Sequence, residues 1–441
     1  MEKNCYVEMP VLLLDTFNED AFMLYQSMKK SGFKGLVLTL SDDGYLPNDV
    51  YSVYTCFLGQ TDCGRPRYFN EIIVPDYWEI KSSNSSGQIL DLNKERGKIF
   101  YQKPTNQRHV KVVDWYDENH VCRLSEHYNN KGSLYARTVF NKKAELVSRS
   151  YFNEEEKEII VENYVTHDIT VNYLNKIFNF HDKVDFILFV FDVLGIKPNR
   201  LYYNSLGIPF MVSEVLEENG KQDVLFWQEG YREDVPGNMQ FILDGYSKRT
   251  KEIVVQKKES YGKLIELGAD SNIVHSLGYV YDFKRENTHS NYVLICTNSD
   301  HIERLQEIIY AAPNMEYHIC ALTEMSSKLM DFNRFSNVKL YPACKSKDIE
   351  KLFNSCDYYL DINHEGEIVD AVKEAFLHNM LILGFKEVAH NVRYTLNEFL
   401  FNSNEYMDLV NVLLDTSKLD LYLSKQRTKA MSQSVNDYQI Y

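Results

Sequence analysis

Aromatic residues recur at a nearly constant spacing across residues 97–174. In steps of 13, 12, 12 and 12 residues, they fall at Trp115, Tyr128, Phe140, Phe152 and Tyr164. A polar stretch follows most of them. Strands of about 6–9 residues joined by tight turns produce such a spacing. The repeat therefore predicts a long antiparallel β-meander.

One face of this meander is expected to be packed and the other presented, because apolar and polar residues alternate between the turns. An open sheet also has unpaired edges and a flat face, which suit an extended polypeptide ligand. Trp115 and Tyr128 are accordingly candidate ligand-binding residues. The alternative is that these aromatic side chains fill the packed face and only stabilise the sheet.

The length and the net charge of the chain restrict what it can be. A chain of 441 residues is expected to form two or three domains. Its 63 acidic side chains outnumber 48 basic ones, which gives a net charge of −15. Because nucleic-acid binding needs clustered Lys and Arg, no nucleic-acid partner is expected.

The cysteines and the apolar runs indicate a compartment. The 8 cysteines form no C-x-x-C pair, and several lie in apolar, strand-like runs, which predicts buried free thiols in a reducing cytoplasm. No metal site and no bound cofactor are predicted. The most apolar stretch, residues 186–196, is too short to span a bilayer. We therefore expect a cytoplasmic protein, with peripheral membrane contact left open.

Strand and helix patterns alternate on both sides of the meander. Residues 1–68 and 175–285 predict one discontinuous Rossmann-like domain, interrupted by a β-sheet domain at residues 69–174. Residues 286–441 predict a second Rossmann-like domain. The predicted fold class is α/β, with two Rossmann-like domains of the GT-B glycosyltransferase type and an inserted antiparallel β-meander. Ligands of such parallel sheets bind at the carboxyl ends of the strands.

One segment of the second domain resembles the nucleotide-binding half of retaining glycosyltransferases. There a strand ends at a Glu-Gly turn and leads into a helix with a second Glu, as at Glu365, Gly366, Glu367 and Glu374. Helix N-terminal amides and carboxylates can hold ribose and sugar hydroxyls. Neither Glu365 nor Glu367 has the family's spacing to Glu374, and an offset of one residue turns a helical side chain by about 100°. The donor site is therefore predicted to be degenerate.

The loop that begins at Asn298 lacks basic residues expected at this position. Active relatives carry an Arg and a Lys just after the preceding strand, where they neutralise the diphosphate leaving group. Here Asn298 is followed by Asp300 and Glu303, which would repel a diphosphate. Arg304 is the remaining candidate for that positive charge.

Other candidates lie at single strand ends. Trp227, Gln228 and Glu229 end a predicted strand, and Asn238 lies at a predicted helix start. They are candidates for binding a sugar or an acceptor, although a turn followed by a helix cap explains them equally well. His364 could pair with its neighbour Glu365, but a lone loop histidine is the simpler interpretation.

Taken together, these residues resemble the GtfB family, the glycosylation-stabilising subunits of the accessory Sec system. The likeness is carried by residues 112–115 and 127–138 of the meander, by Trp227-Gln-Glu and Pro236-Gly-Asn-Met, and by the broken Glu-Gly segment. The resemblance implies a chain that is inactive alone and works with a catalytic partner, GtfA. The pair would transfer N-acetylglucosamine from UDP-GlcNAc to Ser and Thr of unfolded serine-rich-repeat adhesins before their export. The resemblance also implies association with the cytoplasmic face of the cell membrane.

Three functions remain to be distinguished. The first is a non-catalytic subunit that stabilises the transferase and binds the acceptor through its inserted sheet. The alternative is a self-sufficient retaining glycosyltransferase that uses Glu367 or Glu374 with a UDP-sugar. The third is a sugar-binding or scaffold protein unrelated to secretion.

Overall fold

A computed structural model describes residues 6–59, 63–439 and 441 of the chain. The chain forms two compact units, which divide between Leu277 and Gly278. Cys5 lies outside the described residues, and the other seven cysteines are free thiols, three of them buried.

The first unit begins as a parallel α/β fold. Asn18 starts the first helix, since its side chain accepts a hydrogen bond from Ala21 N at 2.9 Å. The first strand is exposed at its amino end and buried at its carboxyl end. The elements in this part are β1 (Val7–Leu14), α1 (Glu19–Lys30), β2 (Leu36–Thr39), β3 (Tyr51–Ser52) and α2 (Thr55–Leu58).

The predicted meander follows as a ten-stranded antiparallel sheet. Each strand pairs with the next one in the chain. Short 3₁₀ helices at Phe69–Glu71 and Thr105–Gln107 accompany it. The strands are β4 (Glu79–Ser82), β5 (Ser86–Asp91), β6 (Lys94–Tyr101), β7 (Val110–Tyr116), β8 (Cys122–Tyr128), β9 (Leu134–Phe140), β10 (Leu146–Phe152), β11 (Glu158–Asn163), β12 (Ile169–Tyr173) and β13 (Lys176–Phe180).

An Asp or Asn side chain closes the turns that give the meander its period. Asn141 Oδ1 accepts from Lys143 N at 2.8 Å and from Glu145 N at 3.0 Å. Side-chain acceptors of the same kind stand at Asp117, Asn129, Asn153 and Asn163. These side-chain oxygens accept hydrogen bonds from backbone amides of the turns, which lie beyond the hydrogen bonds between the strands. Four of these five side chains follow an aromatic residue of the repeat by one or two positions, and Asn163 directly precedes Tyr164. Their recurrence explains the near-constant spacing.

The meander ends at Phe180, beyond the predicted end at residue 174. Leu174 and Asn175 have φ angles of +50° and +61° and form a two-residue turn, across which Tyr173 pairs with Lys176. A leucine at positive φ gives no turn signal in a sequence. The assignment of residues 175–180 to the Rossmann-like domain was therefore wrong.

The remaining strands of the first unit complete a seven-stranded parallel sheet. Its strand order is β17-β16-β15-β14-β1-β2-β3. The elements that complete it are α3 (Lys183–Leu194), β14 (Ile196–Tyr203), α4 (Ile208–Val215), β15 (Asp223–Trp227), α5 (Gly237–Leu243), β16 (Thr250–Val255), α6 (Lys258–Glu266) and β17 (Val274–Ser276).

A buried carboxylate joins the meander to the parallel α/β part. Glu162 on β11 is 4% exposed. Its Oε1 accepts from Tyr54 OH at 2.9 Å and lies 2.9 Å from Lys183 Nζ. Its Oε2 accepts from Tyr164 OH at 3.0 Å and Tyr151 OH at 3.4 Å. Since Tyr54 precedes α2 and Lys183 begins α3, one side chain connects three parts of the unit.

The second unit is a six-stranded parallel sheet with strand order β20-β19-β18-β21-β22-β23. Short 3₁₀ helices stand at Asp331–Arg334, Asn397–Phe399, Ser403–Glu405 and Thr416–Lys418. Its elements are β18 (Tyr292–Thr297), α7 (Leu305–Ala311), β19 (Glu316–Ala321), α8 (Ser327–Met330), β20 (Val338–Tyr341), α9 (Ser346–Ser355), β21 (Tyr358–Asp361), α10 (Ala371–Leu377), β22 (Leu381–Phe385), β23 (Leu400–Phe401), α11 (Tyr406–Leu414), α12 (Leu419–Lys429) and α13 (Val435–Tyr438).

The second unit begins eight residues before the predicted boundary at residue 286. Gly278 lies so close to Met431 that a Cβ atom on it would be 1.8 Å from the Met431 carbonyl oxygen. Tyr279 N donates to the same carbonyl oxygen at 2.9 Å, and Arg285 Nη1 lies 2.6 Å from Asp357 Oδ1. Residues 278–285 therefore pack within the second unit. The predicted fold class, two parallel-sheet units with an inserted antiparallel sheet, is confirmed.

Replacing Glu162 should weaken the whole first unit. In the Glu162→Gln variant, Lys183 loses its anionic partner and three tyrosine hydroxyls lose a charged acceptor. We expect the free energy of unfolding to fall by about 3 kcal/mol, as for a buried ion pair that loses one member. Urea denaturation measures the change. Glu158→Gln, at the exposed start of the same strand, is the matched control and should change stability by less than about 0.5 kcal/mol. Equal effects of the two substitutions would contradict this role.

Candidate functional site

The loops that follow β18 and β21 meet at the carboxyl edge of the second sheet. The two strands are neighbouring and parallel, so their carboxyl ends lie side by side. His364 N donates to His301 O at 3.0 Å, and Glu303 N donates to Ile362 O at 2.8 Å. These backbone bonds hold the two loops together at the position where a nucleotide-sugar donor binds in a parallel sheet.

The predicted donor residues are placed on these loops. Asn298 is exposed directly after β18, and Glu365 and Gly366 are exposed after β21. Glu365 has a φ of +66°, and its carbonyl oxygen accepts a hydrogen bond from His390 Nε2 at 2.6 Å. The side chains of Asn298 and Glu365 are thus on the surface of the loops.

The two glutamates that resembled a donor pair are engaged separately. Glu367 Oε1 accepts from Val372 N in the first turn of α10 at 2.7 Å, so this carboxylate caps the helix. Burial raises the pKa of Glu367, against the hydrogen bond from Val372 N, which lowers it. Glu374 Oε2 lies 2.5 Å from Lys284 Nζ and 3.7 Å from His378 Nδ1. Each carboxylate therefore has a partner within the protein.

Arg304 does not provide a cation that is free to bind a diphosphate. It stands at the N-cap of α7 with a φ of +52°. Its Nη1 lies 3.0 Å from Glu307 Oε1 and its Nε 3.8 Å from Glu303 Oε1. The two carboxylates already compensate its charge.

A histidine that the sequence analysis missed lies at the same edge. His390 Nδ1 is 2.6 Å from Asp361 Oδ1, and the amide of His390 donates to Asp361 Oδ2 at 2.7 Å. The hydrogen bond with Asp361 raises the pKa of His390 to about 9. His390 lies far from Asp361 in the chain and in no predicted element. No sequence pattern therefore connects the two residues.

His364 also has partners that its neighbours in sequence did not indicate. Its Nε2 lies 2.9 Å from Glu303 Oε2, and its ring stacks on that of His301 at 3.6 Å between centroids. It is neither a lone loop histidine nor paired with the side chain of Glu365.

In the first unit, three of the four predicted strand-end residues have structural contacts. Trp227 is 1% exposed at the end of β15. Gln228 accepts from Asn204 Nδ2 at 3.0 Å and donates to Gln256 Oε1 at 2.8 Å, which links the carboxyl ends of three parallel strands. Asn238 Nδ2 donates to Leu206 O at 2.8 Å. Glu229 is exposed, and its side chain is available to a ligand.

The two meander candidates share one carboxylate. Glu126 Oε2 accepts from Trp115 Nε1 at 3.1 Å and from Tyr128 OH at 3.2 Å, and its Oε1 lies 3.0 Å from Arg137 Nη2. Tyr128 is 4% exposed in an apolar cluster with Ile72. Trp115 is partly exposed at the margin of that cluster. Tyr128 therefore has the core-packing role, whereas part of the Trp115 side chain remains exposed at the surface of the meander.

A cavity of about 520 Å³ opens in the first unit where the meander meets the parallel sheet. This volume is within the range of small-ligand sites. No sequence pattern marks this cavity, because its lining combines the loop after β2 with the turn before β9. Its lining includes Leu38, Asp42, Asn48, Ser52, Asn129 and Tyr135.

Domain models of known protein families match most of the chain. Family models match residues 11–57 as the GtfB N-terminal domain, 78–181 as the GtfB middle domain, 183–267 as the GtfB third domain and 293–430 as the GftB/GlyA-F C-terminal domain. The middle-domain match contains all ten strands of the meander.

Full-length relatives are similar along the whole chain. The chain is 37% identical, over 97% of each sequence, to a UDP-N-acetylglucosamine–peptide N-acetylglucosaminyltransferase stabilizing protein GtfB of Streptococcus agalactiae. It is 38% identical to the protein of the same name in Streptococcus pneumoniae, over 96% of this chain and 94% of that one. A chain in the crystal structure of a GtfA/B complex bound to UDP and GlcNAc superposes with a TM-score of 0.90, at 36% identity and 98% coverage of both chains.

A more distant structure shares the fold alone. The pneumococcal O-GlcNAc transferase GtfA in complex with UDP and GlcNAc has a TM-score of 0.51 at 11% identity, over 98% of this chain and 97% of that one. Among the described residues, no helix is both long enough and apolar enough to cross a membrane.

The pair of His390 and Asp361 predicts a pH-dependent contribution to stability. The pKa of His390 rises from 6.5 to about 9 on folding, so its stabilising contribution is complete below pH 6.5 and is lost as the pH rises through about 9. The upper bound is about 3 kcal/mol, at about 1.4 kcal/mol per pKa unit. Unfolding of the wild type and of His390→Gln at pH 6.5 and pH 9.5 measures the difference. The stability gap between the two proteins should narrow at the higher pH, and a constant gap would contradict the assignment.

Proposed function

This chain belongs to the GtfB family, and from that membership we propose that it is the stabilising subunit of a UDP-N-acetylglucosamine:peptide N-acetylglucosaminyltransferase. In this proposal a GtfA-type chain is its catalytic partner. The chain itself catalyses no glycosyl transfer when it is alone.

The charge at the carboxyl edge of the second sheet carries this proposal. A diphosphate leaving group is stabilised by nearby cations that are not already paired with a carboxylate. Here Arg304 faces Glu303 and Glu307, and His390 is paired with Asp361. A UDP-sugar at this edge would meet carboxylates and cations that are already neutralised. This argues against the self-sufficient enzyme that Glu367 or Glu374 would serve.

The first unit offers surfaces for an acceptor polypeptide. Trp115 is partly exposed on β7 of the meander. Val139 on β9 and Leu146 on β10 are 39% and 40% exposed. The cavity beside Asn129 adds a concave, mixed polar and apolar surface. An unfolded acceptor binds weakly at each contact, because ordering it costs entropy. A second binding surface attached to the catalytic subunit would raise the effective concentration of the acceptor.

The nature of the acceptor and the cellular location follow from the family resemblance. We propose that the acceptor is an unfolded, serine-rich-repeat adhesin, which receives its first GlcNAc on Ser and Thr before export by the accessory Sec system. The complex would act in the cytoplasm, peripherally attached to the cytoplasmic face of the membrane.

Coexpression tests the proposed function. We expect a GtfA-type partner to transfer GlcNAc to a Ser/Thr-rich acceptor efficiently only when this chain is present. Without the chain, the apparent acceptor affinity of the partner should fall by roughly 100-fold or more, since the tethered surface is lost. Intact-mass analysis of the acceptor and acceptor titrations measure both quantities.

Glu374→Gln is the control that separates the two functions. In the stabilising role, the complex with this variant glycosylates the acceptor as well as the wild type does. Release of UDP by the purified chain alone, lost in Glu374→Gln, would instead support the self-sufficient enzyme.

A further inference from the structure

Two histidines and a glutamate converge between the loops that follow β18 and β21. His301, Glu303 and His364 each offer one ligand atom, and the three atoms all lie within 4.8 Å of one another. We call these residues the His301–Glu303–His364 cluster. Glu303 also faces Arg304 in the charge argument made for the donor edge, whereas the two histidines have no role in that argument. No sequence motif marks the cluster, because His364 is about 60 residues from the other two.

The nitrogen atoms of both rings approach the same carboxylate oxygen. His364 Nε2 lies 2.9 Å from Glu303 Oε2, and His301 Nε2 lies 4.0 Å from it. The ring planes differ by 4°. In a tetrahedral zinc site with bonds of about 2.0–2.2 Å, the ligand atoms stand about 3.4 Å apart. Because parallel, stacked rings direct their nitrogen lone pairs into separate planes, zinc binding would require at least one imidazole to rotate out of the stack, and His301 Nε2 to approach Glu303 Oε2.

The backbone holds the ligands in place before any ion binds. His364 N donates to His301 O at 3.0 Å, and Glu303 N donates to Ile362 O at 2.8 Å. Ile302 and Asn363, which lie between these residues, form an antiparallel bridge. The loop positions are thus fixed by main-chain bonds, and binding would order only the side chains.

We propose that the His301–Glu303–His364 cluster binds a Zn²⁺ ion. Imidazole nitrogens suit zinc, whereas magnesium and calcium prefer sites made only of oxygen atoms. Three protein ligands leave a fourth tetrahedral position for water or an anion. Arg304 Nε lies 3.8 Å from Glu303 Oε1, the carboxylate oxygen other than the one that faces the histidines, and Arg304 Nη1 lies 3.0 Å from Glu307 Oε1. The bound ion would join the two loops.

Zinc titration of the chelator-treated, full-length chain tests the site. We expect one equivalent of Zn²⁺ to bind in isothermal titration calorimetry, and Co²⁺ to give the visible absorption of a tetrahedral site. His301→Gln, Glu303→Gln and His364→Gln should each lower zinc affinity by at least roughly 100-fold, since loss of even an outer-shell partner costs up to about that factor. Thermal melts in chelator show whether each variant is folded.

His289→Gln is the matched control. His289 Nε2 pairs with Asp420 Oδ1 at 2.9 Å in the same unit. It therefore combines an imidazole with a carboxylate, but among the described residues it belongs to no group of three metal-ligating side chains. This variant should bind zinc as the wild type does. All the proteins keep the same cysteines, so thiol binding cannot produce the difference. Absence of saturable zinc binding, or equal binding by the wild type and the three cluster variants, would overturn the proposal.

Discussion

A diphosphate bound at a sheet edge has to be neutralised by cations that are free to contact it. Glycosyl transfer from a nucleotide sugar separates charge, and a protein stabilises that charge with cations that have no stronger partner. In the second unit, Arg304 faces Glu303 and Glu307, and His390 is held by Asp361. Glu367 caps α10 and Glu374 faces Lys284. The strand ends lie at the edge where a parallel sheet binds its ligands, and the charged groups named here pair with one another.

The first unit shows how such a chain can serve as a platform. The meander is fixed by the Glu162 carboxylate, whose partners come from the loop before α2, from α3 and from the meander itself. Tyr54 and Tyr151 also stack, at 3.9 Å between ring centroids. A buried, fully hydrogen-bonded charge of this kind sets one arrangement of the sheets at a cost in desolvation. A rigid sheet can then present its outer face to a chain that has no fold of its own.

Periodic features were predictable from the sequence, and contacts between distant residues were not. The meander was predicted from the spacing of its aromatic residues and from the polar stretches that follow most of them, because turn chemistry and strand alternation are local. Its last strand was missed, since Leu174 and Asn175 form the turn at positive φ. The pairs His390–Asp361 and His364–Glu303 join residues 29 and 61 positions apart, so the fold alone brings them together. Tyr128 shows the same limit, because alternation does not tell which face of a sheet is covered.

Binding of UDP-GlcNAc to the isolated chain shows whether the edge of the second sheet can hold a diphosphate. The measurement is calorimetric titration of chelator-treated protein, so that no metal ion supplies the missing positive charge. We predict no saturable binding up to millimolar nucleotide sugar, because the cations at the donor edge are already paired. Micromolar binding that displaces UDP competitively would show a working diphosphate site and would contradict the account.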